Sequence, residues 1–452
     1  MFTRLVLSLT LSVTLTAFAV AQTPLKVGTF DVDASPPVGS PLAYDIHEKL
    51  QTPLQCRGVV IIGEKQTVVL CAVDWIGIGN DGLKEFREAL AKSAGTTADR
   101  VAVHSLHQHD APRCDFTADK LLAPYKINTQ IFDVGFARDV MKRAAQAVKQ
   151  AVKTAQPVTH LGLGSAKVEK VASNRRILGT DGKVKHIRWT ATKDAKVRAM
   201  PTGTIDPMLK MISFWNGKKP LVSLTYYATH PQSYYRTKMA NPDFPGIARN
   251  MRQKKTGVLH VHFNGAGGNI GAGKWNDGSR ENRQILADRV AAGMKQAWDN
   301  SKRVPVSASD LGWQSVQVKL PPAKHLDEKK LLTVLKDEKA DVRQRSAAAS
   351  NLAWLMRCQA GDPIDISCLR LGKARVLHMP GELFVEYQLA AQELRPDLFV
   401  AMAAYGDYAP GYIGTEIAYG QGGYETSQRA SRVAPSVESV LVSAMGKLLE
   451  VK

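Results

Sequence analysis

The sequence predicts an α/β (α+β) fold in which mixed β-sheets are flanked by helices. β-branched runs such as "RGVVIIGEKQTVVLCAVDW" alternate along the chain with segments of helical period such as "GFARDVMKRAAQAVKQAVKTA". Several polar motifs follow predicted strands directly, where open α/β sheets place their sites. After the N-terminal segment, roughly 430 residues run on without a repeat period or a Pro/Ser/Gly-rich linker, so residues 22–452 read as one large domain with insertions.

Residues 1–21, "MFTRLVLSLTLSVTLTAFAVA", combine one Arg, an apolar run and a small-residue end, the pattern of a secretory signal peptide. A secreted or periplasmic protein is therefore expected, with Gln22 as its first mature residue. No Cys follows the cleavage position, which argues against a lipoprotein anchor, and no later apolar run approaches the roughly 20 residues of a membrane span.

The runs on either side of Gly63 to Gln66 predict a β-hairpin, and "GLKEFREALAKSAG" has helical spacing. "RVAVHS" is a short strand. In the amphipathic helix that follows, Phe136, Val140, Ala144, Val148 and Val152 form one apolar stripe. "VTHLGLGSAKVEKV" returns to strand, and "LKMISFWNGKKPLVSLTYYATH" is a hairpin with an Asn-Gly turn. The helix "RQILADRVAAGMKQAWDN" and the strand "GWQSVQVKL" precede a charged helical segment at about 325–357, expected to be an inserted pair on the surface. "IDISCLRLGKARVLHMPGELFVEYQLAAQEL" then reads strand, turn, strand, helix, and "DLFVAMAAYGDY" supplies another strand.

The net charge of +19, from 60 Lys and Arg against 41 Asp and Glu, is spread along the chain. Spread charge fits peripheral attraction to an anionic membrane surface better than a nucleic-acid groove, and no nucleic-acid motif is present. Among the five cysteines, Cys358 and Cys368 flank a turn-rich segment where a disulfide is plausible. Cys56 and Cys71 either pair or are simply buried, and Cys114 is left as a free thiol.

Three of the 11 histidines, His104, His107 and His109, fall within six positions. On an extended segment His107 and His109 point to one side, as many zinc sites begin, although a polar strand end gives the same pattern. "SLTYYATHPQS" brings His230 to another strand end. In "HMPGELF", Glu382 stands where a carboxylate either caps a helix or faces a site. The tail holds five tyrosines, Tyr405, Tyr408, Tyr412, Tyr419 and Tyr424, in a near-polar stretch, so its aromatics are expected to line a pocket. "GAGGNIGAGKW" imitates a phosphate loop but has Trp275 where Ser or Thr is required and a turn where a helix should start, so it reads as a Gly-rich approach to the pocket.

Taken in order, these motifs resemble the catalytic domain of the neutral/alkaline, non-lysosomal ceramidases, from about Val27 to the tail. "LHQHDAP" is similar to that family's "THTHSGP", "SNRR" to "NRS", "MPGELF" to "PGEF", and "GYIGTEIAYGQGGYE" to "DYVTTREEYAAQEYE" with its tyrosines in register. The resemblance implies Zn2+ held by His107, His230, Glu382 and Tyr412, with an activated water as nucleophile. It makes His109 an acid/base or supporting histidine, and gives Arg175 and Tyr424 the substrate amide and its oxyanion. An exported zinc-dependent amide hydrolase of small-molecule or lipid N-acyl substrates is thus implied.

The chain departs from the family in two ways. Gly271 occupies the position of the Ser in the family's "GDVSPN", which disfavours a serine nucleophile, and no C-terminal immunoglobulin-like domain follows Tyr424. The alternatives are a metal-dependent esterase or deacetylase, and a non-catalytic cell-envelope binding protein.

Overall fold

The structure, a computed structural model, describes residues 23–451; the predicted signal peptide lies outside them. Three sheets carry the architecture, and four strands of each repeat one scheme of two antiparallel pairings followed by a parallel one. In the first, β1 (Leu25–Asp33), β2 (Gln55–Ile62) and β3 (Thr67–Val73) are antiparallel, and β4 (Val101–Ser105) adds parallel to β3. In the second, β5 (His160–Lys167), β6 (Met208–Asn216) and β7 (Lys219–Tyr227) are antiparallel, with β8 (Leu259–Asn264) parallel to β7. In the third, β9 (Leu311–Val318), β10 (Ile364–Leu371) and β11 (Ala374–His378) are antiparallel, with β12 (Phe399–Ala403) parallel to β11.

A parallel neighbour cannot be reached by a tight turn, so each scheme needs a crossover. Helices supply it: α1 (Asn80–Ala94) between β3 and β4, then α2 (Val134–Lys153) along the first sheet, and α3 (Asp243–Thr256) between β7 and β8. Further on come α4 (Arg280–Asp299), α5 (Glu328–Lys336), α6 (Val342–Ala360), α7 (Val385–Leu394) between β11 and β12, and α8 (Val437–Leu448). The predicted hairpins and helices form. In α2 the buried stripe contains Val140, Ala144 and Val148 as expected, together with Ala137, Met141 and Ala151; Phe136 and Val152 flank it, half-buried. This helix lies so close to β1 that a Cβ at Gly28 would collide with the Ala151 carbonyl.

One apolar core joins the three sheets through Ala72 of β3, Leu224 of β7, Val376 of β11 and Ala403 of β12. The parallel pairs meet at their carboxyl ends. There the Ser105 amide donates to the Tyr405 carbonyl (3.0 Å) and the Ala404 amide to the Asn264 carbonyl (2.9 Å), while the Asn264 side chain donates to the Leu106 carbonyl (2.5 Å).

Two expectations are corrected. The helical segment at 325–357 forms a pair, but α6 is not a surface element. Ala348, Ala349, Leu352, Ala353 and Trp354 are buried, because an alanine-rich face allows close packing, and the Trp354 indole donates to the Arg432 carbonyl (2.9 Å). Cys358 and Cys368 are both free. Cys358 sits in the last turn of α6 with its sulfur toward the Leu320 carbonyl, whereas Cys368 lies four residues into β10, roughly 13 Å along an extended strand, so the turn does not bring them together. The Cys56 and Cys71 thiols are buried and share a hydrogen bond at 3.5 Å without forming a disulfide, and Cys114 is also free and buried. No described helix is long and apolar enough to cross a membrane.

The turn after β3 is anchored by a fully buried ion pair. Arg249 of α3 grips Asp74 with two bonds of 2.8 Å, and Asp74 also accepts from the Gln55 amide (2.9 Å). Asp74→Ala leaves a buried guanidinium without its counter-charge, so it is expected to cost about 3–5 kcal/mol. Equilibrium denaturant unfolding measures this; a loss below about 1 kcal/mol would contradict the role given to the pair.

Candidate metal centre

The loop leaving β4 is held against the turn after β3. The Leu106 amide donates to the Val73 carbonyl (2.8 Å) and the His107 amide to the Trp75 carbonyl (2.9 Å). His107 itself takes a left-handed conformation, φ +66°, which is costly for a residue with a Cβ and marks a position dictated by its surroundings. The extended arrangement expected for His107 and His109 is therefore incorrect. The imidazoles still converge, with ring centroids 5.1 Å apart and planes at 78°. His107 Nδ1 lies 2.7 Å from the Ile76 carbonyl. A carbonyl can only accept, so Nδ1 holds the proton and Nε2 turns a bare lone pair inward.

That lone pair meets Glu382. The carboxylate Oε2 is 3.1 Å from His107 Nε2 and 3.9 Å from His230 Nδ1. His230, three residues beyond β7, is fully buried, and its Nε2 faces His109 Nε2 at 2.9 Å. Burial, then the neighbouring His107 and Arg175, push both His109 and His230 well below the usual imidazole range, so both are neutral.

Glu382 does not begin a helix. It lies in a two-residue strand, Glu382–Leu383, paired in parallel with Tyr412–Ile413, and α7 starts only at Val385. This pairing sets Glu382 across from Tyr412 and turns the carboxylate into the cluster. Burial alone would raise its pKa, but the neighbouring His107 and hydrogen bonds from Tyr408 and Tyr412 hold it below the usual carboxylate range. The Tyr408 hydroxyl donates to Oε1 at 2.8 Å.

Arg175 closes the other side. Its Nη1 donates to the Tyr412 hydroxyl (3.2 Å), its Nε lies 3.2 Å from Glu425 Oε1, and the guanidinium stands over the rings of Trp189, Tyr412 and Tyr424 at 5.5, 5.9 and 5.9 Å. Burial would favour its neutral form, yet the neighbouring Tyr412 and Glu425 raise its pKa, so Arg175 stays cationic. Tyr412 is pushed up by burial and by Glu382. Tyr424 is half-buried, 5.7 Å from Tyr412 and 5.5 Å from Trp189.

All seven residues singled out in the sequence, His107, His109, Arg175, His230, Glu382, Tyr412 and Tyr424, thus gather in one place. Tyr405 and Tyr408 of the tyrosine-rich stretch join them, Tyr405 stacked on His107 at 4.5 Å. Tyr419 does not; its hydroxyl bonds Ser431 (2.9 Å). Sequence reasoning missed Tyr44, stacked on His109 at 5.6 Å, Tyr235 at 5.9 Å, Trp189 and Glu425. Of these only Glu425 carried a signal, since it follows Tyr424 directly. Gly271 pairs with Ser173, has no positive φ among the described residues, and would place a Cβ 3.3 Å from Arg175 Cγ. It is a close-packing position beside the guanidinium.

The donor set fits a cation. His107, His109 and His230 each offer a ring nitrogen within 4.8 Å of the others, and His107 Nε2, His230 Nδ1 and Glu382 Oε2 are buried polar atoms without a hydrogen-bond partner. Buried polar atoms left unpaired are costly, and three of them converging is the condition that a divalent cation relieves.

No protein-family model matches the chain, and no curated protein matches it in sequence. Among solved structures it is similar to a neutral ceramidase from Pseudomonas aeruginosa, with 15% identity and a TM-score of 0.67 over 95% of this chain and 75% of that one. It is also similar to a ceramidase complexed with C2, with 14% identity and a TM-score of 0.68 over 94% and 75%. The mixed sheets flanked by helices are those of the neutral ceramidase fold.

Six histidines, His104, His109, His230, His260, His262 and His378, are buried with pKa values lowered first by burial. Unfolding releases them to an ordinary value of about 6.5, so the unfolded state binds more protons and stability falls as pH drops through that region. Between pH 7.5 and 6 each contributes a loss of about 0.8 kcal/mol. Asp115 and Asp243, raised to about 6 by burial, oppose this only toward the lower end. Chelator-treated protein is expected to lose a few kcal/mol over this range; a pH-independent urea midpoint would refute the account.

Proposed function

We propose that the chain is an exported, zinc-dependent hydrolase of amide bonds acting on small-molecule or lipid N-acyl substrates. The observation that carries the reading is the convergence of unpartnered buried polar atoms of His107, His230 and Glu382 beside a buried, charged Arg175. The similarity to ceramidase structures supports amide chemistry, and aromatic side chains near the cluster support an apolar substrate: Trp189 and Tyr235 are each 47% exposed.

In this reading His107, His230, Glu382 and Tyr412 hold the ion. A bound divalent cation supplies Lewis acidity that polarises a carbonyl and lowers the pKa of water. The remaining residues act directly on substrate. Arg175 is cationic, buried and held by Glu425, so it meets charge developing on the carbonyl oxygen without reorganising. Tyr424, half-buried at its side, adds a phenol donor. His109 is neutral, with an unpartnered Nδ1 that takes up the proton of the attacking water and returns it to the departing amine. Tyr408 keeps Glu382 ionised and oriented. With glycine at 271 that position offers no hydroxyl nucleophile, so no acyl-enzyme is expected there.

Protein purified without chelator is expected to carry close to one zinc per chain, and His107→Ala and His230→Ala to lose it while remaining folded; elemental analysis with circular dichroism checks this. Full zinc in both variants would overturn the ligand set. Amine release from a panel of N-acyl lipids, N-acyl amino acids and acyl amino sugars tests the activity, and no release from any of them by zinc-loaded protein would defeat the reading.

The two tyrosines should separate. Tyr412→Phe is expected to weaken metal binding, whereas Tyr424→Phe retains the metal and lowers kcat about a hundredfold or more, the usual cost of removing one oxyanion donor. Equal effects on metal content would invalidate the assignment.

A further inference from the structure

Two consecutive arginines follow the short strand Ser173–Asn174. Arg175 stands over the rings of the centre, whereas Arg176 reaches the segment that carries Tyr424. Its guanidinium donates to the Gly422 carbonyl (2.7 Å), the Ala418 carbonyl (3.0 Å) and Gln421 Oε1 (3.2 Å), and lies 3.5 Å from Glu425 Oε2. It also stands over the Phe384 ring at 5.3 Å, two residues beyond Glu382.

That segment needs an anchor from outside. The helix Glu416–Gln421 has only six residues, too few to satisfy its last carbonyls within itself. Gly422, at φ +76° and ψ −154°, and Gly423, at φ +96°, follow it. Such conformations are open almost only to glycine, which also has the most freedom to leave them, so the local backbone does not fix how the chain enters Tyr424. Arg176 supplies the missing donors, helped by Thr426 Oγ1 to the Gly422 carbonyl (3.0 Å) and Lys183 to the Gly420 carbonyl (2.6 Å). The fit is close, since a Cβ at Gly423 would lie 2.9 Å from Arg176 Nη1. On the other side of Tyr424, the fully buried Glu425 sits between the two arginines, 3.2 Å from Arg175 and 3.5 Å from Arg176. Tyr424 itself is half-buried, and its ring meets Tyr412 and the half-exposed Trp189. Ring contacts let a phenol slide; the backbone on both sides of it is what Arg176 holds.

We propose that Arg176 is a positioning residue for the amide hydrolysis, acting through Tyr424: by fastening Ala418, Gly422 and Glu425 it fixes the phenol at the place where the oxyanion develops. This role rests on the hydrolase reading above. A donor of this kind has to be held to within about 0.5 Å, and a displacement of about 1 Å can cost about a hundredfold in rate. Lysine does not replace arginine here, because one ammonium lacks the planar fork that meets several acceptors at once.

Arg176→Gln removes both fork and charge. Hydrogen–deuterium exchange read by mass spectrometry is expected to show peptides spanning 416–427 exchanging about tenfold faster, while those spanning 103–110 and 224–231 and the zinc content are unchanged. On an N-acyl substrate that the zinc-loaded chain cleaves, kcat is expected to fall about ten- to a hundredfold with KM within about twofold, because the displaced donor acts in the transition state. In the Tyr424→Phe background Arg176→Gln is expected to cost nothing further, whereas an arginine with only a structural role would add its full loss. Arg176→Lys keeps the charge beside Glu425 and is expected to fall in between. Gly423→Ala disturbs the same contact from the loop side and is expected to repeat the Arg176→Gln pattern; these two variants carry the test if Arg176→Gln does not fold. Unchanged exchange at 416–427, loss of zinc, or full additivity with Tyr424→Phe would each overturn the role. The exchange measurement needs no turnover, so an unaltered chain that cleaves no amide defeats the hydrolase reading, while exchange at 416–427 still decides whether Arg176 is the anchor.

Discussion

The structure depends on the meeting of three parallel strand pairs at their carboxyl ends. Each sheet ends in one such pair, and the ends are tied across sheets by Ser105 to Tyr405, Ala404 to Asn264, and the Asn264 side chain to Leu106. Backbone groups at a strand end have lost their ladder partners and must be satisfied elsewhere when buried. Here they satisfy one another, so three separate sheets act as one support. His107, His230 and Glu382 all lie within four residues of those ends, which is why residues over 270 positions apart in sequence share one buried volume.

The same constraint accounts for the local departures from regular structure. Once Leu106 and His107 are bonded to the turn after β3, the chain has to double back, and the left-handed φ of His107 is the consequence. The short strand at Glu382 is likewise closed by Tyr412, with the Glu382 amide on the Gly411 carbonyl (2.9 Å). A carboxylate held by backbone pairing is oriented more firmly than one on a free loop.

Electrostatically, the centre divides into two halves. On one side three imidazoles gather at Glu382, kept ionised by the neighbouring His107 and its phenol donors. On the other side Arg175 and Glu425 balance each other, with Arg176 3.5 Å from the second Glu425 oxygen. Tyr412 touches both halves: it lies across from Glu382 and accepts from Arg175. Such burial of charge persists only where partners are close and fixed, and here aromatic rings exclude water from around them.

From the sequence alone, the mixed α/β class, the hairpins and the long helices could be read, because each depends on a period of two or 3.6 within a single segment. The seven residues that gather at the centre could also be singled out, since histidines placed after strands, Glu382 in "HMPGELF" and the register of the tyrosines are features of linear order. What linear order does not contain is direction. His107 points inward through a left-handed turn, and Glu382 belongs to a strand bridge instead of a helix start, because partners 30 or more residues away impose those conformations. The same holds for the unbonded Cys358 and Cys368, for the burial of α6, and for Tyr44, Trp189 and Tyr235 around the site. These features arise from contacts between segments, which exist only after the three sheets have met.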